Sequence, residues 1–305
     1  MTVKGALRLG SLTLILVASS ACQKAALNSI STAPTPPPAA TKNRKGDQNM
    51  QELIQKVLAK DPTATLLARN LGRSAAESLK PLAKDEDPVV REIALRCLIE
   101  SGGDGLASVF ANALLDESGS VRGAALAGLA GNPDPSVYPA LLNAFDNSSD
   151  LPEMREQIAL IMGRLDSADT LELNTRLENE KDQLARDGLV AALAKLGDNR
   201  SRAQFADSLR NAKGDRLKRF LDYVDFINQE WAARALGPVL LDKTPLLRIG
   251  IDGLPNLGPG NLRACDISVN LVAKILKAKF SFPVDMKTQY SDQQLQEVRN
   301  YIGSK

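Results

Sequence analysis

The chain has 305 residues, 44% hydrophobic, 24% charged and only 4% aromatic, and it contains no histidine. Without imidazole, Ser-His-Asp and Cys-His nucleophile arrangements and His-ligated zinc or non-haem iron are excluded, and no metal site or cofactor is expected. Lys and Arg exceed Asp and Glu by only two, far from the basic excess of a protein that lives on phosphate contacts, so no nucleic-acid partner is expected.

Residues 1–21 have the layout of an export signal: Lys4 and Arg8, then Leu12, Leu14, Ile15, Leu16 and Val17, then the small run Ala18-Ser19-Ser20-Ala21. The apolar run is too short to span a bilayer of ~30 Å hydrocarbon. Ending directly on Cys22, the segment resembles a bacterial lipoprotein signal, although Ser19 stands where that family usually carries a branched apolar residue. The resemblance implies that Cys22 becomes the lipidated first residue. Gln23 rather than Asp follows it, which by the same resemblance implies sorting to the outer membrane, facing periplasm or surface. Ordinary cleavage after Ala21 fits the same letters. Residues 22–48, rich in Ala, Ser, Thr and Pro with the run Pro36-Pro37-Pro38, read as a disordered tether.

From residue 49 onward one pattern recurs. An Arg preceded by an apolar residue opens an apolar helix at Val90-Arg91, Val121-Arg122, Met154-Arg155 and Ala185-Arg186, with weaker copies at Arg219 and Arg248. The spacings are 31, 33, 31, 33 and 29 residues, and a period that steady predicts a solenoid. Apolar residues three, four and seven places after each Arg share one helical face. The segments before each Arg supply partner helices, and strand signals are nearly absent. Leu262 to Leu276 reads as one more apolar helix and Ser291 to Ile302 as a capping helix.

A two-helix unit of this length opened by Asp87-Pro88-Val89-Val90-Arg91 resembles HEAT-like repeats. The expected fold is therefore all-α: a right-handed α-solenoid of about seven to eight two-helix hairpins over residues 49–305, with capping helices at the C-terminus. The resemblance implies that Arg91, Arg122, Arg155 and Arg186 form a structural ladder, holding carboxylates of the same or the neighbouring unit. It also implies that Asp87 caps a second helix, and Asp87 before Pro88 reads independently as an N-cap. The aromatic stripe Phe220, Tyr223, Phe226 and Trp231 reads as core. Cys97 and Cys265 read as small core residues, about five repeats apart and unable to bridge.

Catalysis is not expected. Among HEAT-like proteins, the di-iron hydroxylase type needs histidines that are absent, and no catalytic residue set stands out. The function expected is a non-catalytic scaffold of the bacterial cell envelope, binding another envelope protein or peptide on the concave face. Positions one, five and eight after each ladder Arg point away from the core stripe. They place Glu92, Arg96, Glu156, Leu160 and Asp187 as candidate partner-binding residues, an acidic row suited to a basic partner. The alternatives are a HEAT-like lyase or chaperone subunit for a pigment protein, and a purely structural envelope spacer.

Overall fold

The computed structural model describes residues 39–248 and 261–303. The export signal, Cys22 and most of the expected tether lie outside the described residues. The chain divides into residues 1–43 and a compact unit over residues 44–305, and the helical array belongs to the latter.

Paired helices follow one another along the chain. Helix α1 (Ala39–Leu58) precedes α2 (Ala64–Leu71), and α3 (Ala76–Leu79), flanked by 3-10 turns, precedes α4 (Pro88–Ser101). The next pairs are α5 (Leu106–Asn112) with α6 (Gly119–Gly131), α7 (Tyr138–Asp146) with α8 (Pro152–Met162), α9 (Thr170–Asn179) with α10 (Gln183–Leu196), and α11 (Asn199–Asn211) with α12 (Gly214–Ile227). A short α13 (Glu230–Arg234) is paired with α14 (Ala264–Leu276), and α15 (Asp292–Gly303) closes the chain. The fold is an all-α solenoid: second helices α2, α4 and α6 pack side by side, as do α8 and α10, and from α3 to α11 each first helix packs on the second helix that follows it.

Local chemistry starts and stops these helices. Asp87, Asp169, Asp182 and Asp198 each accept a backbone N–H of the first helical turn at 2.7–2.8 Å. Pro88 and Pro152 occupy first-turn positions, where no helical N–H is missed. At α15, Ser291 and Gln294 exchange side chain-to-backbone bonds in a capping box. Gly197, at φ +103°, ends α10 in the left-handed region open to glycine.

Three expectations are corrected. Helix α1 begins at Ala39, within the stretch expected to be tether to residue 48, because the proline run stops at Pro38 and the helix formers Lys42, Arg44 and Lys45 follow. Arg248 opens no helix; it ends β1 (Pro245–Arg248), which pairs antiparallel with β2 (Asn261–Arg263), so α14 starts only at Ala264. Arg219 is not the ladder position of its unit. The buried residues Phe220, Leu221 and Val224 stand three, four and seven places after Leu217, the spacing that follows the other four arginines. The ladder position is Leu217, 31 residues past Arg186.

Candidate functional site: the ladder and the second-helix face

Three of the ladder arginines, Arg91, Arg122 and Arg186, reach back from the first turn of a second helix to the loop that precedes it. Arg91 Nη1 donates to the carbonyls of Asp85 and Glu86 at 2.9 Å. Its Nε and Nη2 clasp both oxygens of Asp116, in the next unit, at 2.8 Å, the bidentate geometry that favours Arg over Lys. Burial opposes the Asp116 charge, but Arg91 and the Ser118 N–H outweigh it and hold this carboxyl below its ordinary value. Arg155 also holds an acid of the next unit, the almost fully buried Glu180, but through Nη1 and Nη2, with its Nε buried and unpartnered among the described residues, and it lies 4.5 Å above the Phe145 ring.

Arg122 and Arg186 behave differently. Arg122 donates to the carbonyls of Asp116 and Glu117, and Arg186 to those of Leu177 and Glu180; among the described residues neither has a carboxylate partner. The reason lies two residues before each second-helix cap, where successive units carry Asp85, Asp116, Ser149, Glu180 and Asn211. Acids follow Arg91 and Arg155, whereas the uncharged Ser149 and Asn211 follow Arg122 and Arg186. Asp87 caps Val89 and pairs with Lys60 at 2.5 Å, holding no ladder arginine. Sequence reasoning looked for the acid at the cap and missed Asp116 and Glu180. The signal was available, since an acid two residues before a cap can accept the cap's own N–H, as Asp85, Asp116 and Glu180 do.

The acidic row is not a solvated face. Glu92 is paired with Arg96 one turn on, at the surface of α4. Asp187, by contrast, is buried, with both carboxylate oxygens held at 2.8 Å by Arg216 and one at 2.7 Å by Gln183. Glu156 accepts the Tyr223 hydroxyl and lies 3.7 Å from Arg219. Burial raises the Glu156 carboxyl above its ordinary value, and burial beside that carboxyl raises the Tyr223 phenol. Leu160 is half-buried against the core.

Close packing explains the covering. A side chain at Gly188 would come within 3.0 Å of the Glu156 Cα, and one at Gly163 within 2.8 Å of the Ala192 Cα. With α8 and α10 that near, Arg216, Arg219 and Tyr223 of α12 reach over α10. Tyr223 thereby bonds a residue two units away, where a solenoid's contacts ordinarily run between neighbours. The open part of the second-helix face is α4 and α6, where Arg96 and Gly123 are exposed and Ala127 is half-buried.

The aromatic residues are largely internal. Phe205 packs on Phe220 at 5.1 Å and edge-on to Trp231 at 5.8 Å. Cys97 and Cys265 are buried and unbridged, and burial pushes their thiols up to about 12 and about 11, the opposite of an activated nucleophile. Among the described residues no cluster of His, Cys, Asp or Glu is placed to hold a metal, and no helix is long and apolar enough to cross a membrane.

This is an architecture that can hold and present a surface. Comparison with curated proteins gave no match. Residues 107–194, the stretch from α5 to the last turn of α10, match the family model of HEAT repeats, so over those units the chain is similar to HEAT repeats, a family generally of protein-interaction scaffolds and typically non-catalytic.

Proposed function

We propose that this protein is a non-catalytic interaction scaffold of a bacterial cell envelope, anchored by lipid at Cys22, sorted to the outer membrane and engaging another envelope protein through its second-helix face. The observation that carries the scaffold reading is the way successive second helices are locked. Arg91 to Asp116 and Arg155 to Glu180 join neighbouring units through buried bidentate or multiple contacts, which suits a stiff row presenting fixed side chains rather than a closing active site. The open stretch, α4 and α6, is the part of that face available to a partner.

Two measurements test this. Membrane fractionation should find the mature chain with membranes and the Cys22→Ala variant released; release of the wild type by osmotic shock overturns the lipid anchor. Crosslinking in intact envelopes, with a photoreactive group at Arg96 or Ala127, should give one saturable adduct with a discrete protein. Absence of any adduct would favour a structural spacer over a scaffold.

A further inference from the structure

Nine places after the ladder position, at or just past the ends of successive second helices, stand Arg164, Lys195 and Phe226. The Arg164 guanidinium lies 5.5 Å, and the Lys195 ammonium 4.9 Å, from the centre of the same half-buried Phe226 ring. Arg164 donates to the Ala130 carbonyl at 2.6 Å, and Lys195 to the carbonyls of Phe226 and Ile227 at 2.9 and 3.1 Å. Beside them Arg202 stacks on Trp231 and donates to the Ala194 carbonyl. Among the described residues none of these three cations has a carboxylate within ion-pair distance.

Helix-end carbonyls attract a cation only modestly at the surface. They do not account for two half-buried cations gathered on one ring. Elsewhere the protein pairs its half-buried cations with acids: Arg91 with Asp116, Arg176 with Asp146, Arg216 with Asp187 and Arg263 with Asp266. Arg122 and Arg186 also lack acids, but each is enclosed by the carbonyls of its own loop. At the Phe226 edge, burial lowers both cations' proton affinity, and Arg164 lowers that of Lys195 further. Desolvated, mutually repelling cations gain most from an incoming anion.

We propose that Arg164 and Lys195, gathered on the Phe226 ring, form a docking site for an acidic segment of a partner protein, whose carboxylates supply the ion pairs this edge lacks. The inference rests on the scaffold reading and gives its partner a charge. A carboxylate fits better than a phosphate. The surrounding groups are carbonyl oxygens, which repel a dianion, and among the described residues no first-turn N–H cluster of the kind that cradles phosphate is present there. A carboxylate can accept from the Nε–Nη2 edge of Arg164, which has no protein partner among the described residues. The N-terminal segment of this same chain is not the occupant, because Lys24, Lys42, Arg44 and Lys45 oppose a single Asp47 there.

The test is fluorescence anisotropy of a labelled oligoglutamate peptide with the full mature chain, alongside labelled oligolysine and phosphatidylglycerol vesicles. Saturable oligoglutamate binding, weakening with salt, should fall about tenfold or more in an Arg164→Gln, Lys195→Gln double variant. It should survive in Arg200→Gln, a surface cation outside the cluster, and fall less in the charge-retaining pair Arg164→Lys, Lys195→Arg, which keeps both charges but loses the two-pronged Arg164 edge. Circular dichroism checks that each variant is folded, and if the Gln pair unfolds, Phe226→Leu replaces it and should weaken binding. No oligoglutamate binding, equal loss in Arg200→Gln, or cluster-dependent binding of vesicles in place of peptide would each overturn the proposal. If the envelope crosslinking captures a partner that the Gln pair still binds, the scaffold stands and this site does not.

Discussion

The second helices α4 and α6 and the second helices α8 and α10 are built on the same pattern, yet the position after the ladder arginine is open on the first pair and covered on the second. On α4 that position is Glu92, which meets only Arg96 of its own helix and stays near solvent. On α8 and α10 it is Glu156 and Asp187, drawn into a buried set with Tyr223, Arg216 and Arg219. The difference comes from two glycines that follow on the same helices. Gly163 and Gly188 let α8 and α10 approach until backbone nearly touches backbone, and the long side chains of α12 then lie across the pair. A face is thus open or closed according to whether its neighbours are small enough to be covered.

The largest effect should come from breaking the closed region's ladder. Arg155→Ala leaves Glu180 buried without its cation, and removing one partner of a buried pair costs about 3–5 kcal/mol. Arg122→Ala breaks bonds to loop carbonyls only and should cost about 1 kcal/mol. Urea denaturation of the two variants separates them; equal losses would mean that the carboxylate adds nothing to the ladder. Gly163→Ala comes next, with an expected loss of about 1–3 kcal/mol from overpacking against the Ala192 backbone. An unchanged midpoint would show that α8 and α10 can separate at little cost.

Glu156 gives the comparison a pH dependence. The Glu156 carboxyl holds its proton more tightly in the folded chain than in the unfolded one. Its stabilising contribution is therefore complete at pH below its ordinary value and is lost as pH rises through the raised value. The wild type should lose stability relative to Glu156→Gln on going from acid to neutral pH, and melting curves that run parallel across that range would contradict this. Smallest of all is Glu92→Gln on the open face. It removes an exposed intrahelical pair and should shift stability by less than about 0.5 kcal/mol; a larger loss would show that the α4 face is not open.

Much of the fold was legible because periodicity is a local property. The recurring apolar places after each arginine, the cap at Asp87 and the Ser291 start of the last helix depend on residues within a turn or two of one another, and they foretold helix, period and hairpin. The register of α12 was less plain, since Arg219 imitates a ladder arginine while the apolar spacing points to Leu217. The partner acids Asp116 and Glu180 lie 25 residues from the arginines they hold, so only the stacking of units joins them.

What the sequence by itself determined was a train of paired helices with a steady repeat, because helical burial follows a 3.6-residue rhythm that neighbouring residues dictate. Only the tertiary structure decided which polar residues face water. The same helical-wheel position is open at Glu92 and buried at Asp187, because exposure depends on what the next helix carries across the gap. For that reason Glu156 and Asp187 became internal, while Arg164 and Lys195, separated by 31 residues in the chain, came together on one ring.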